Sequence, residues 1–223
     1  MLSRLYRSAV GLKALMAVSG IVLFGFVLGH MAGNLKLYLG PESINHYAEW
    51  LREMGTPLLP RAGVLWIARI GLLVAVAVHI GAAWKLTLIN RRARPQDYEG
   101  RSVVQATYAA RTMRWGGVIL LLFVLYHLAD LTFGWANPDF VPGDVYHNVV
   151  GGFSVWWVSA LYIVGQVALA FHLHHGLWSL FQSLGWNHPA YNGWRRGFAA
   201  SFALVVAAGN LSFPLAVLSG MVS

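Results

Sequence analysis

The chain has 223 residues, of which 57% are hydrophobic and only 11% are charged. A soluble domain is about one quarter charged, so this composition is typical of a membrane protein. There is no cysteine, which excludes disulfides, thiolate zinc sites, cysteine-ligated iron–sulfur clusters and catalytic thiols. The net charge of +8 does not indicate nucleic-acid binding, because the Lys and Arg residues lie between apolar segments rather than on a polar surface.

Five apolar segments are each long enough to cross a hydrocarbon core, which takes about 20 helical residues. They run from about residue 12 to 39, 62 to 90, 111 to 135, 151 to 183 and 195 to 218. The first follows basic residues, as a signal peptide does, but its apolar run is longer, so we interpret it as a retained transmembrane helix. The sequence predicts an all-α membrane protein, with residues 1–223 forming one five-helix transmembrane domain.

The charges of the loops predict the orientation of the bundle. Twelve basic residues fall on the side of the N-terminus: Arg4, Arg7, Lys13, Lys85, Arg91, Arg92, Arg94, Arg101, Arg111, Arg114, Arg195 and Arg196. Cytoplasmic loops carry the excess of Lys and Arg, so we expect a cytoplasmic N-terminus and an outside C-terminus in the inner (cytoplasmic) membrane.

Two loops have features of their own. Residues 40–60 predict a short amphipathic helix on the outer surface, because Ile44, Tyr47, Leu51 and Met54 share one helical face. Residues 90–111 form a basic loop that either docks a soluble partner, meets anionic lipid headgroups or only fixes the topology.

Four of the nine histidines lie in four different segments: His30, His79, His127 and His172. A single intramembrane histidine often only hydrogen-bonds a neighbouring helix, but one on each of four helices indicates a shared role. A rise of about 1.5 Å per residue places His79 and His172 about 9 and 15 Å from the cytoplasmic face, and His30 and His127 about 24 and 20 Å from it. The histidines therefore form two levels, with two imidazoles at each.

Two imidazoles in an apolar interior favour haem over zinc. Zinc needs three or four protein ligands, whereas haem iron has four porphyrin nitrogens and needs only two axial ligands. The sequence thus predicts two bis-histidine b-type haems inside the bundle, and the absence of cysteine excludes covalent c-type attachment. Glycines near the histidines either admit the flat ring or serve helix packing: Gly25, Gly29, Gly81, Gly165 and Gly176.

Two motifs carry a resemblance to a known family. "SGIVLFGFVLGHMAGN" (residues 19–34) has a Ser-Gly pair about ten residues before Gly-His-Met, and "FHLHHGLWSLFQSLGW" (residues 171–186) has a His-x-x-x-Gly-Leu-aromatic pattern. With five segments and four histidines, the whole chain resembles the di-haem cytochrome b membrane anchors of succinate:quinone oxidoreductases, the group that includes fumarate reductases. The matches at "VAVHIGAAWK" and "LYHLADL" are less specific.

The resemblance implies both a ligand assignment and a function. His79 and His172 would hold a proximal haem on the cytoplasmic side, and His30 and His127 a distal haem. The chain would anchor a flavoprotein subunit and an iron–sulfur subunit on the cytoplasmic face and pass electrons to a membrane quinone, with menaquinone as the substrate. Alone, it would not act on succinate.

One departure concerns the haem propionates. Some relatives have a lysine after the fourth helix, near the proximal propionates, whereas "SLFQSLGWNHP" contains neither Lys nor Arg. Ser19, Lys85, Gln182 and Ser183 are the candidates for that role here.

Quinone chemistry moves protons and therefore needs an ionisable group near a haem edge. The candidates are Glu49 and Glu53, one helical turn apart in the surface segment, and Asp130, three residues after His127. The alternatives are a solvated surface for the glutamates and interfacial hydrogen bonding for Asp130.

Other functions stay open at this point. A haem b subunit of a different membrane dehydrogenase, such as a hydrogenase, also has histidines on several helices. A transporter with proton-relay histidines and a haem-free structural anchor are further alternatives.

The stretch "FHLHHG" contains three histidines with different predicted roles. His172 is the predicted ligand because Gly176 follows it by four residues, as in the family pattern, and because its level matches that of His79. His174 points about 200° away around the helix. His175 is a fallback ligand, or a contact to a propionate or quinone.

Overall fold

A computed structural model describes residues 8–93 and 105–223, with side chains described in the second stretch from residue 113 onward. The helices are α1 (Ala9–Asn34), α2 (Pro41–Glu53), α3 (Gly63–Arg92), α4 (Gln105–Leu131), α5 (Val145–Ser154), α6 (Trp156–Ser183) and α7 (Asn192–Leu218). Short 3₁₀ helices, Leu35–Leu39 and Pro189–Tyr191, precede α2 and α7. These ranges contain no strand, which confirms the predicted all-α class.

Within the described residues, five helices are long and apolar enough to cross a membrane. They comprise Ala9–Leu39, Gly63–Arg92, Met113–Leu131, Trp156–Ser183 and Pro189–Leu218, and so include α1, α3, α4, α6 and α7. Large apolar side chains such as Leu73, Val74 and Leu122 are exposed on their outer surfaces. So much exposed apolar surface is unfavourable in water and suits a lipid environment. The chain is a multi-pass membrane protein.

The two ends of the bundle differ in charge. The arginine end, as we name it, is where α3 and α6 finish and α7 begins, and it carries Arg91, Arg92, Arg195 and Arg196. The opposite α2 end contains α2, α5 and the loop of residues 132–144. Residues 94–104, half of the basic loop predicted at residues 90–111, lie outside the described residues, as do Arg4 and Arg7.

The predicted amphipathic helix is present as α2, with Ile44 only 3% exposed on its inner face. It is joined to the start of α5 through Asp144, which caps α5 by accepting a hydrogen bond from the His147 amide at 3.0 Å. Asn45 donates to Asp144 Oδ1 at 2.9 Å and accepts from the Tyr146 amide at 3.1 Å. The His147 amide first, and then the Asn45 side chain, hold the pKa of Asp144 below its ordinary value by hydrogen-bonding its carboxylate.

The fourth membrane helix begins later than the sequence predicts, at Trp156 rather than near residue 151. Val155 has extended backbone angles, φ −83° and ψ 110°, and separates α5 from α6. The break frees carbonyl groups that a continuous helix would satisfy. The hydroxyl of the fully buried Ser159 donates to the Phe153 carbonyl at 2.7 Å and so satisfies one of them. No proline marks this break in the sequence.

The helices pack as two groups. α1 lies closely against α3, while α6 lies between α4 and α7 and packs closely against both. The contacts between the two groups are fewer and come mainly from α1 against α6 and α7. The buried core at the α2 end includes Phe123, Phe153, Tyr162 and Phe213.

Candidate functional site

The structure brings together the two histidines of each predicted pair. The ring centroids of His30 and His127 lie 5.9 Å apart, with an interplanar angle of 80°. Those of His79 and His172 lie 6.2 Å apart, with an angle of 62°. Each pair therefore presents two imidazoles from two different helices to one small region of the bundle.

Each pair also joins helices that hardly contact each other. His30 is on α1 and His127 on α4, and His79 is on α3 and His172 on α6; neither pair of helices is among those that pack closely over the described residues. The histidines thus face one another across the division between the two packing groups. None of the four rings is fully buried, and His30 is exposed.

Three helices give the same separation between the two pairs. A methyl group on Gly20 of α1 would lie 3.7 Å from His79, and one on Gly117 of α4 would lie 4.0 Å from His172. Gly20 precedes His30 by ten residues, and Gly117 precedes His127 by ten. On α6, Tyr162 contacts His127 and precedes His172 by ten. Ten helical residues rise about 15 Å, so the pairs lie at two levels about 15 Å apart.

The hydrogen bonds of His79 fix which ring nitrogen is free. Its Nδ1 lies 3.2 Å from the Met16 carbonyl oxygen and 3.2 Å from Ser19 Oγ. A carbonyl oxygen can only accept, so Nδ1 carries the proton and donates. The Ser19 hydroxyl itself donates to the Leu15 carbonyl at 2.7 Å, which leaves its oxygen to accept from His79. The lone pair of His79 Nε2 is therefore available to a metal.

His127 is oriented in the same way by a different partner. The Tyr162 hydroxyl donates to Asp130 Oδ2 at 2.7 Å, and its oxygen lies 3.3 Å from His127 Nδ1. Because the Tyr162 proton is directed to the carboxylate, His127 Nδ1–H donates to the phenol oxygen. His127 Nε2 is then free as well.

The other two histidines have different surroundings. The His30 ring stacks on Phe26 at 5.3 Å with an interplanar angle of 14°. His172 Nδ1 is buried and has no hydrogen-bond partner among the described residues. A buried nitrogen without a partner is costly unless another group satisfies it, which suits a ligand nitrogen.

These observations allow a test of whether haem fits. A metal–imidazole bond is about 2.0–2.1 Å long and a ring nitrogen lies roughly 1.1 Å from the ring centroid, so two axial imidazoles have centroids about 6 Å apart. Both measured separations agree with that value. Within the described ranges no cluster of three His, Asp or Glu residues could hold a bare metal ion. The residues present fit a group that brings its own equatorial ligands, and their role as haem ligands stays a prediction.

Two of the glycines near the histidines serve helix packing. A methyl group on Gly165 would lie 2.6 Å from Cγ of Phe123, so the Phe123 ring packs directly on the α6 backbone. One on Gly176 would lie 3.3 Å from the Phe24 ring, whereas Gly25 and Gly29 have nothing within 4 Å. Close packing is therefore the reason for glycine at residue 165.

The propionate candidates lie around the arginine end in different settings. Ser19 has its hydroxyl engaged with Leu15 and His79, as described above. Ser183 Oγ donates to the Ser179 carbonyl at 3.0 Å. Gln182 is exposed and Lys85 is half-buried. Nothing in these settings assigns a propionate contact to any of the four.

His174 and His175 are separate from both pairs. Their rings pack against each other with centroids 5.2 Å apart and an angle of 66°. Both are half-buried. Only His172, of the three histidines in "FHLHHG", faces a histidine on another helix.

The three acidic candidates have contrasting surroundings. Glu49 forms a short ion pair with Arg61 and lies 3.8 Å from Arg52. The Arg61 hydrogen bond, supported by the charges of both arginines, holds the Glu49 pKa below its ordinary value. Glu53 is exposed at the end of α2. Asp130, at 2% exposure, is buried and bonded to Tyr162.

The sequence interpretation missed Tyr162, which is only 4% exposed and connects Asp130 with His127. The depth of Tyr162 in its helix could have identified it. A carboxyl group in a membrane helix needs a donor at its own depth, and Tyr162 precedes His172 by ten residues on α6, which is about 15 Å along the helix.

Comparison with known proteins gives one family. Residues 87–211, more than half of the chain, match the family model described as "Succinate dehydrogenase/Fumarate reductase transmembrane subunit". The matched region includes His127 and His172, one member of each histidine pair. No curated protein and no solved structure gives a significant match. The chain belongs to the family of succinate dehydrogenase/fumarate reductase transmembrane subunits.

Proposed function

We propose that the chain is the cytochrome b membrane anchor of a succinate:quinone oxidoreductase and passes electrons between an iron–sulfur subunit and a membrane quinone, with menaquinone as the substrate. The proposal rests on the two histidine pairs. The ring centroids are 5.9 Å apart in His30–His127 and 6.2 Å apart in His79–His172, and each pair joins two helices that have few contacts with each other. The family match supports the anchor role and favours it over a hydrogenase subunit or a transporter.

Two b haems are the proposed cofactors, one between His79 and His172 and one between His30 and His127. When bound, haem supplies an iron centre that changes oxidation state by one electron. Met16 and Ser19 orient His79, and Tyr162 orients His127. Two haems, at levels about 15 Å apart along the helices, would carry electrons from one end of the bundle to the other.

The proposed orientation follows the charges. The arginine end faces the cytoplasm and would dock the flavoprotein and iron–sulfur subunits, since basic loops mark the cytoplasmic side. The α2 end then faces outward, and the protein resides in the cytoplasmic membrane. The His79–His172 pair is nearer to the docked subunits.

The quinone site is proposed at the α2 end, close to the His30–His127 pair. Of the three acidic residues, Glu53 suits a proton-delivering role best, because Glu49 is held charged by Arg61 and Asp130 is bonded to Tyr162. Glu53→Gln should lower quinone turnover with electrons supplied directly to the haems, while haem content is retained. Glu49→Gln is the matched comparison one helical turn away, and an equal loss in both variants would contradict this choice.

Haem content tests the main proposal. The protein extracted from membranes should give b-type bands in a reduced-minus-oxidised spectrum equivalent to two haems per chain. His172→Ala should remove one of the two, and His174→Ala, two residues away on a different face, should remove neither. The absence of haem from the unmodified protein would refute both the electron-transfer role and the ligand assignment.

A further inference from the structure

We propose that Asp130, acting through Tyr162, is a positioning residue for His127 that lowers the midpoint potential of the haem bound at His30 and His127. The inference rests on the proposed di-haem function.

The hydrogen bonds of Tyr162 connect Asp130 to His127. Tyr162 donates its only proton to Asp130 Oδ2 over 2.7 Å and accepts from His127 Nδ1–H over 3.3 Å. Donation to a carboxylate is charge-assisted and polarises the phenol oxygen, which becomes a better acceptor for the imidazole N–H. The carboxylate therefore acts on His127 without touching it.

Asp130 and Tyr162 are both buried. Asp130 and Tyr162 are 2% and 4% exposed, and among the described residues no Lys or Arg forms an ion pair with Asp130. A carboxyl group buried at the end of a membrane helix is costly, so its position calls for a specific interaction. Tyr162 supplies a hydrogen bond to this carboxylate.

Packing fixes the phenol in place. The Tyr162 ring contacts Phe153 at 4.7 Å and Phe123 at 5.3 Å, both nearly perpendicular, and Tyr126 at 6.1 Å. With rings on several sides, Tyr162 cannot turn its hydroxyl away from His127. The orientation of the imidazole is thus set by a rigid contact from α6.

The effect on the haem follows from ligand basicity. Drawing the Nδ1 proton towards an acceptor raises the basicity of the metal-bound nitrogen, and a more basic axial ligand stabilises ferric over ferrous iron. Loss of such a partner typically costs about 10–100-fold in metal affinity. If the affinity for ferric iron falls about tenfold and the affinity for ferrous iron does not change, the midpoint potential rises by about 59 mV.

The other histidine pair supplies a matched control within the chain. His79 Nδ1–H donates to two neutral acceptors, the Met16 carbonyl and Ser19 Oγ. Ser19→Ala removes one of them and leaves the carbonyl. This change should affect the His79–His172 haem and leave the His30–His127 haem as it was.

Potentiometric titration of the haem bands tests the inference on the membrane-extracted protein with its accompanying subunits. The two haems are first assigned by the loss of one band in His127→Ala and of the other in His172→Ala. Asp130→Asn and Tyr162→Phe should each raise the potential of the His127 haem and change its low-spin ferric EPR signal. Asp130→Glu, which keeps the carboxylate, should restore part of the shift.

The outcomes separate this inference from the proposed function. Two haems with unchanged potentials in both Asp130→Asn and Tyr162→Phe would overturn the inference and leave the di-haem function standing. Absence of haem from the unmodified protein would overturn the function itself. Selective loss of the His127 haem in Asp130→Asn would support the inference, because the ligand would then have lost its orientation. An equal shift of both haems would overturn it.

Discussion

Substitution of Gly165 by alanine should destabilise the contact between α4 and α6. A methyl group there would lie 2.6 Å from Cγ and 2.8 Å from Cε2 of Phe123, well inside the ordinary carbon–carbon contact distance of about 3.5–4.0 Å. The Phe123 ring cannot move aside easily, because it packs against Tyr162 at 5.3 Å and His127 at 6.0 Å. Overpacking of this kind costs about 1–3 kcal/mol.

Gly116→Ala on α4 is the matched control, because nothing lies within 4 Å of its added methyl group. Replacing a helical glycine by alanine gains about 0.5–1 kcal/mol at both residues, so the two variants should differ by the overpacking cost of about 1–3 kcal/mol. Unfolding in mixed detergent micelles, followed by far-UV circular dichroism, measures the difference. Equal stabilities for Gly165→Ala and Gly116→Ala would refute the assigned contact. Recovery in Gly165→Ala with Phe123→Leu would identify the ring as the obstacle.

Three further changes have defined outcomes. Ser159→Ala leaves the Phe153 carbonyl without its donor, so the free energy of unfolding should fall by about 1–3 kcal/mol in the same micelle assay. Asp144 has a folded-state pKa below the ordinary 3.8, so its contribution to stability is present above pH 3.8 and is lost as the pH falls further. Between pH 6 and pH 3, the melting temperature should therefore drop less in Asp144→Asn than in the unmodified protein. Arg195→Leu removes a cation that is 1% exposed and donates to three oxygens, so it should lower the melting temperature by several degrees, while Arg196→Leu at the neighbouring exposed residue should not.

The sequence was sufficient to predict which histidines pair. Loop charges give each helix its direction, and the constant helical rise turns sequence distance into depth, so His79 and His172 fall at one level and His30 and His127 at the other. Depth alone does not give rotation about the helix axis. For that reason the role of Gly165 as a packing contact to Phe123, rather than an opening for a flat ring, became visible only with the helices in place.

The parts that sequence reasoning could not reach depend on contacts distant along the chain. Tyr162 and Asp130 are separated by 32 residues and meet only because α4 packs on α6. The start of α6 was also predicted too early, since the break at Val155 contains no proline and is satisfied by a buried serine hydroxyl from the following helix. Neither feature has a local sequence pattern.

The division of the bundle into an α1–α3 group and an α4–α6–α7 group has a consequence for biogenesis. Each histidine pair takes one member from each group, so neither pair exists while only the first half of the chain has been made. The His30–His127 pair is complete once α4 has been synthesised, and the His79–His172 pair only when α6 follows. At about 5–20 residues per second, ribosomes separate these two events by a few seconds. During translation the two histidine pairs therefore form in a fixed order, the His30–His127 pair first.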